Sequence, residues 1–314
     1  MDKFNPVNMS VWQGRQDPED GELALRWHDK VQPWPQAGRA APGVALVGFA
    51  CDEGVRRNKG RVGAAGAPLA VRKLLANSAW HLGRPVYDCG DVNCEDGDLD
   101  AAHGRLAERV ARLLDEGHFP LVLGGGHEVA FGSWSGLNLH LAGRGRVGII
   151  NFDAHFDLRM KLEQASSGTP FFQIAEQCAA QGTPFTYACL GVAETANTRA
   201  LFARAEALGV WHVLDEAMTP AELPALLSGL DAFIARCDHL YLTIDLDVLP
   251  AAVMPGVSAP AARGVELAVI EPLIAHIRAS GKLRLADLAE YNPSLDQDNR
   301  SARVAARLVH QLTK

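Results

Sequence analysis

No run in this 314-residue chain comes near the roughly 20 apolar residues that a membrane-spanning helix requires. The opening stretch, MDKFNPVNMSVWQGRQDPED, also lacks the apolar core of a secretory leader. Neither a membrane location nor export is therefore expected. Runs of basic residues are missing too, and a formal charge of -7 argues against a nucleic-acid partner. The six cysteines (Cys51, Cys89, Cys94, Cys178, Cys189, Cys237) contain no C-x-x-C pair. Cys89 and Cys94 lie close together, but no second pair follows to complete a zinc site, so free thiols in a reducing cytoplasm are expected. There is no G-x-G-x-x-G fingerprint and no P-loop Lys-Ser/Thr after Gly124-Gly125-Gly126, and no Ser-His-Asp or Cys-His nucleophile stands out. Internal repeats and low-complexity linkers are likewise absent.

What remains is the composition of an ordinary globular protein, 48% hydrophobic and 21% charged. Residues 1–42 lack sustained periodicity and read as an irregular arm. One short helix is expected near Glu22–His28, with packing through Trp12, Trp27 and Trp34. From residue 43 onward, short β-branched runs alternate with amphipathic segments. Strands are predicted at Val44–Phe49, Pro85–Cys89, Pro120–Leu123, Val147–Phe152, Thr186–Leu190, Val210–Val213, Leu240–Ile244 and Leu283–Leu288. Helices are predicted at Pro68–Ala76, Leu99–Glu116, Val129–Leu141 and Phe171–Gln181, and near 194–208, 221–236, 264–280 and 301–312. Such alternation is the signature of a parallel sheet covered on both faces. A three-layer α/β/α fold with a central parallel sheet is expected, with 43–314 as a single catalytic domain.

The chemistry concentrates in VGIINFDAHFDLR, residues 147–159. In extended chain, residues two apart point the same way, so Asp153, His155 and Asp157 converge at a strand's carboxyl end. A plainer reading, three side chains capping the next turn, is the weaker one because partners occur elsewhere. The strand at 120–123 delivers His127, and the strand at 240–244 delivers Asp245 and Asp247, again alternating. In a parallel sheet these exits share one edge. Four carboxylates packed together cannot all stay ionised without compensation, and two divalent cations about 3.5–4 Å apart would supply it. Oxygen-rich donors favour manganese over zinc, although other divalent ions remain compatible. A water between two such ions becomes hydroxide near neutral pH and can attack an electrophilic carbon. The three glycines before His127 are expected to let the backbone turn sharply.

The segments GGGHE, NFDAHFDLR and LTIDLDVLP, followed by AEYNPSLD, resemble the ureohydrolase (arginase) family in order and spacing across residues 124–296. The resemblance implies an arginase-like fold, two Mn²⁺ per subunit, hydrolysis of a C–N bond in a guanidino or amidino group, and a homo-oligomer. By position it implies that His127, Asp153, Asp157 and Asp245 hold one ion. His155 and Asp247 would hold the other, with Asp153 and Asp245 bridging. Glu290 matches the carboxylate that faces the substrate's amidinium carbon, and Asp157 a carrier of the proton to the leaving amine.

Departures from the family pattern narrow the substrate. The family commonly has Gly-Gly-Asp-His-Ser where this chain has Gly126 and Glu128 beside His127, and Asp-Pro where it has Leu249-Pro250. Arginases use a Ser-Gly-Asn run and a following proton-transfer His; here these positions are Ser167-Gly168-Thr169 and Phe171. Together with CDEGVRRNKGR and VSAPAARG, this resembles the formimidoylglutamase branch, which cleaves N-formimidoyl-L-glutamate to L-glutamate and formamide in histidine degradation. A small amidine bearing carboxylates calls for cations at the pocket rim, where Arg56, Arg57, Lys59, Arg61 and Arg159 are available. Arg57, Arg159, Ser167 and Thr169 are the expected substrate contacts. Two alternatives use the same residues: an agmatinase or guanidino-acid hydrolase, and a metal-binding regulatory protein without turnover. The deacetylase relatives of the fold fit less well, because this donor set suits two metals.

Overall fold

The computed structural model describes residues 4–5, 7–35 and 40–314; the rest of the expected arm lies outside the described residues. Ten strands form one sheet: β1 (Phe4–Asn5), β2 (Gln32–Pro33), β3 (Val44–Ala50), β4 (Val86–Asn93), β5 (Phe119–Leu123), β6 (Val147–Phe152), β7 (Thr186–Val192), β8 (Trp211–Leu214), β9 (His239–Asp245) and β10 (Leu283–Ala289). Their order is β1-β4-β3-β5-β10-β9-β6-β7-β8, with β2 also on β4. Every pairing is parallel except β1 on β4. All eight strands read from hydrophobic runs are present: Val147–Phe152 has the expected bounds, and the ends of the others move by one to four residues. Among the described residues no helix is long and apolar enough to cross a membrane.

The strands are apolar on both faces, so each side needs its own helical layer. On β3, Val44 and Leu46 enter one core while Ala45, Val47 and Phe49 enter the other. Helices 67–76, 223–234, 267–279 and 300–313 cover the first face through residues such as Leu75, Phe233, Ile274 and Leu308. Helices 99–115, 129–141, 170–181 and 199–207 cover the second through Leu106, Trp134, Ile174 and Ala205. Each large side chain fully buried in this way contributes roughly 1.5–3 kcal/mol. Gly132 and Gly136 lie one turn apart on helix 129–141. A Cβ on Gly136 would come within 2.6 Å of Val110 Cβ and 2.7 Å of Ala107 O, so the two helices touch almost backbone to side-chain root. Gly136→Ala would push them apart.

The arm is more structured than its composition suggests. It supplies two short edge strands, which pair with β4 at Phe4–Asn5 and Gln32–Pro33. Trp12 donates its indole N–H to Asp88 at 2.7 Å, and Asp88 is held by buried Arg72. Trp27 is fully buried edge-on to Trp80, and Trp34 packs on Tyr87 and His118. The helix expected at Glu22–His28 is displaced. Gly21, at φ 57°, kinks a 3₁₀ segment over Pro18–Ala24, and a four-residue helix starts only at Trp27. Arg26 is extended, and its N–H bonds Asp29 to start that helix.

Candidate metal centre

The parallel topology brings the carboxyl ends of β5, β10, β9 and β6 side by side. The register pairs Phe152 with Ile244, so Asp153 and Asp245 follow at matching positions one residue further on. Each forms the same local turn. Asp153 Oδ1 accepts the His155 N–H at 2.6 Å, and Asp245 Oδ1 accepts the Asp247 N–H at 2.9 Å. The second oxygen of each then faces inward. His127 Nδ1 lies 3.1 Å from Asp153 Oδ2, 3.1 Å from Asp245 Oδ2 and 2.9 Å from Asp157 Oδ2. His155 Nδ1 lies 3.1 Å from Asp247 Oδ2 and 3.5 Å from Asp153 Oδ1. All six side chains singled out in the sequence therefore meet in one cluster, with Asp153 common to its two halves.

Packing around the cluster fixes these orientations. His127 Nε2 contacts Thr243 Oγ1 at 3.0 Å, which leaves Nδ1 for the carboxylates. Asn151 donates to Asp153 Oδ2 at 2.9 Å. Asn197 straps the segment on either side of His155, accepting from Phe156 N–H at 3.0 Å and donating to Ala154 O at 2.9 Å. Thr243 carried a sequence signal, since it lies two residues before Asp245 on the same strand face; Asn197 carried none. Phe171 is fully buried, edge-on to His127 and stacked on Tyr187 at 4.4 Å, so no titratable group stands at that position. The glycines of GGGHE are required by proximity, not by left-handed backbone. A Cβ on Gly125 would lie 1.6 Å from Cys51 O, and one on Gly124 would lie 2.5 Å from Leu288 O. The turn is thus wedged between the ends of β3 and β10.

The electrostatics are those of a cation site. Burial opposes charging of His127, yet its contacts with Asp153, Asp157 and Asp245 carry it well above its ordinary pKa. Asp247 raises His155 in the same way, against burial. Burial, Asp247 and Asp153 push Asp245 well up, and burial with Asp153 raises Asp157. Asp153 goes down despite burial, because both imidazoles bond to it. Three carboxylate oxygens surround His127 Nδ1, which makes no well-directed hydrogen bond, and Asp247 Oδ1 is buried without a hydrogen-bond partner among the described residues. One N–H can serve only one of three oxygens, whereas a divalent cation can be shared by them all. The donor set therefore fits a pair of divalent ions.

Glu290 follows β10 in a left-handed conformation, φ 66°, and this conformation turns its side chain back toward the cluster. Its Oε1 accepts the backbone N–H of His127 at 2.8 Å. Burial and neighbouring Glu128 raise its pKa well above the usual range. Glu290, His155, Asp157, Asp245 and Asp247 form the floor of a cavity of about 330 Å³. Lys59, Arg61 and Arg159 stand on its rim. Arg61 is tied to the carbonyls of Val257 and Ser258, while neither Arg159 nor Lys59 has a side-chain partner among the described residues. Ser167 lines the same cavity and receives Asn58 Nδ2 at 3.2 Å.

Two of the expected substrate contacts are placed elsewhere. Arg57 bonds Glu53, Gly97 O and Ala165 O, and does not line the cavity. Thr169 is buried and bonds Ser166 O and Gln173, which closes the turn ahead of helix 170–181. Both are spent on holding the loop 165–169 in place. Their donors are satisfied internally, a commitment that residue type alone does not reveal.

Comparison with known proteins agrees with this geometry. The Arginase family profile matches residues 42–314. A formimidoylglutamase of Aeromonas hydrophila is 98% identical over 314 residues, covering 100% of both chains. One from Chromobacterium violaceum is 57% identical over 308 residues, covering 98% of each. Among solved structures, the formimidoylglutamase of Bacillus subtilis superposes with a TM-score of 0.83 at 22% identity, over 96% of this chain and 93% of that one. A Trypanosoma cruzi formiminoglutamase crystallised with Mn²⁺ superposes with a TM-score of 0.77 at 26% identity, over 87% of this chain and 92% of that one.

Proposed function

The chain belongs to the arginase family, and from that premise we propose that it hydrolyses N-formimidoyl-L-glutamate to L-glutamate and formamide, as a step of histidine degradation. The observation that carries this reading is the division of one cavity into an acidic floor and a cationic rim. An amidine that is cationic at one end and carries carboxylates at the other matches both. Agmatine, cationic at both ends, would meet Arg159 and Lys59 with like charge.

In this reading His127, Asp153, Asp157 and Asp245 hold one manganese ion, and Asp153, His155, Asp245 and Asp247 hold a second. Bound there, the two ions would supply Lewis acidity, which makes water a competent nucleophile near neutral pH. Arg159 grips a substrate carboxylate with its planar fork, and Ser167 offers a hydroxyl beside it. Glu290 lies against the amidinium, orients it and stabilises its charge. Its backbone anchor on His127 keeps that carboxylate in register with the metal-holding residues. As the C–N bond breaks, the departing glutamate amine needs a proton. Asp157 lines the cavity and, in this reading, passes to that amine the proton that the attacking water gives up. Phe171 and Tyr187 close the back of the site against water.

Residues 43–314 act as one catalytic unit in this reading, with the arm sealing the sheet edge. Six free cysteines suit a reducing cytoplasm, the subunits assemble into a homo-oligomer, and no nucleic acid or membrane takes part. The deciding experiment compares manganese-reconstituted turnover of formimidoylglutamate, arginine, agmatine and guanidinobutyrate. Formamide release from the first should dominate. Faster urea release from any of the others overturns the substrate, and full metal content with no turnover of any of them overturns the enzymatic reading.

A further inference from the structure

The other end of the sheet carries a second cavity, of about 660 Å³, which the proposed reaction does not use. It opens at the amino ends of β5, β9 and β10, about 20 Å from the catalytic edge, given the rise of roughly 3.3 Å per strand residue. Three arginines line it: Arg84, Arg144 and Arg284. No Asp or Glu does, although the chain has a net charge of -7. Among the described residues none of the three guanidinium groups pairs with a carboxylate. Asp115 and Asp238, the acids nearby, are engaged with His140 Nδ1 and the backbone of Arg146.

Each guanidinium is nevertheless held in place. Arg84 donates to Thr313 O at 3.1 Å and lies over the Phe119 ring at 5.5 Å. Arg144 donates to Leu141 O and His140 O and so caps helix 129–141. Arg284 donates to His239 Nδ1 at 3.4 Å. All three therefore keep N–H donors to spare, and the carbonyl bonds of Arg84 and Arg144 hold two of the stems, which is how a site is preorganised for an anion. The cations act on one another: burial and Arg278 lower Arg84, while burial and Arg284 lower His239 against the opposing pull of Asp238. Leu114, Leu141, Phe119 and Leu283 supply apolar wall between the cations, the usual make-up of a small-molecule pocket.

We propose that this basal cavity is a binding site for a small polyanionic metabolite that presents two or more anionic oxygens, as a phosphoryl group or a dicarboxylate does. The inference is independent of the substrate assigned above. The test is calorimetric titration of the metal-loaded protein, freed of excess metal, with orthophosphate and separately with L-glutamate, at constant ionic strength. Saturable binding of at least one probe is expected, and the two arms separate phosphoryl from carboxylate recognition. Arg284→Gln and Arg144→Gln should each weaken it by at least about 10-fold, the loss of one charge-assisted contact. Arg159→Gln, at the catalytic rim, should leave it intact and so separates this site from glutamate bound as product. No saturable binding of either probe overturns the proposal, as would be the case if a second copy of the chain covered the cavity. Binding that survives both basal variants, or that disappears with Arg159→Gln, also overturns it.

Discussion

Asp153 and Asp245 are the same device built twice. Each follows one register-matched residue of neighbouring parallel strands, Phe152 and Ile244, and each folds one oxygen onto the N–H two residues on. Each then presents the other oxygen to His127 Nδ1 at 3.1 Å. The local turns make each carboxylate direction a property of its own strand exit, and the sheet register makes the two directions meet.

Asp153→Asn or Asp245→Asn should therefore disrupt both halves of the site together. Loss of even a supporting partner typically costs 10–100-fold in metal affinity or activity, so at least about 100-fold lower turnover is expected for a residue proposed to bridge both ions. Metal content measured beside turnover checks it. Full manganese and full activity in either variant would show the assignment to be wrong.

Thr243→Val should act more gently, because it removes the partner that fixes the His127 ring. About 10–100-fold weaker manganese binding is expected, with turnover recovered at saturating metal. Equilibrium dialysis followed by activity at high manganese separates this from a loss of chemistry.

Glu290→Gln should retain both metals and lose turnover by about 10²–10³, the range for removing one preorganised charge-stabilising group. A parallel fall in metal content would reassign Glu290 to holding the centre together.

Arg159 and Arg57 should behave differently although the sequence treated them alike. Arg159→Ala removes an unpaired rim cation and should raise KM, with a charge-assisted contact worth about 1.5–3 kcal/mol, while kcat changes little. Arg57→Ala breaks bonds to Glu53, Gly97 and Ala165 and should lower thermal stability first. Michaelis parameters and melting curves on the two variants decide it.

Metal-free protein should lose stability as pH rises above about 6.5, the ordinary histidine value. His127 and His155 have folded pKa values raised above that point, so the folded state binds more protons than the unfolded one there. Their contribution is complete below about 6.5 and is lost as pH climbs through the folded values. Raised Asp245 and Glu290 act in the same direction. Metal displaces these protons, so the melting temperature of the manganese form should depend less on pH, and the gap between the forms should widen toward alkaline pH. A metal-free melting temperature that rises from pH 6.5 to 8.5 would contradict it.

Much of this was legible in the chain itself. Val147–Phe152 reads as a buried strand because its apolar residues serve two cores, and D-x-H-x-D and D-x-D read as donors because strand geometry places alternate residues together. The helix expected at Glu22–His28 failed because Leu25 and Arg26 are extended, held by a bridge between Arg26 and Ala79 and by the Trp80 N–H on Leu25 O, and this pairing outweighed a weak propensity signal. The edge strands of the arm were invisible because two-residue pairings leave no period to detect.

The sequence by itself determined the layers, the eight longer strands and the six candidate donors, since periodicity and local turns depend on neighbours a few residues away. Only the tertiary structure decided which cations were free to act. Arg57, Arg61 and Arg159 are chemically alike in one dimension. Arg57 and Arg61 spend donors on carbonyls far away in sequence, and among the described residues Arg159 spends none. Whether a side chain is spent or available depends on hydrogen-bond partners up to 200 residues away, and only folding brings these within reach.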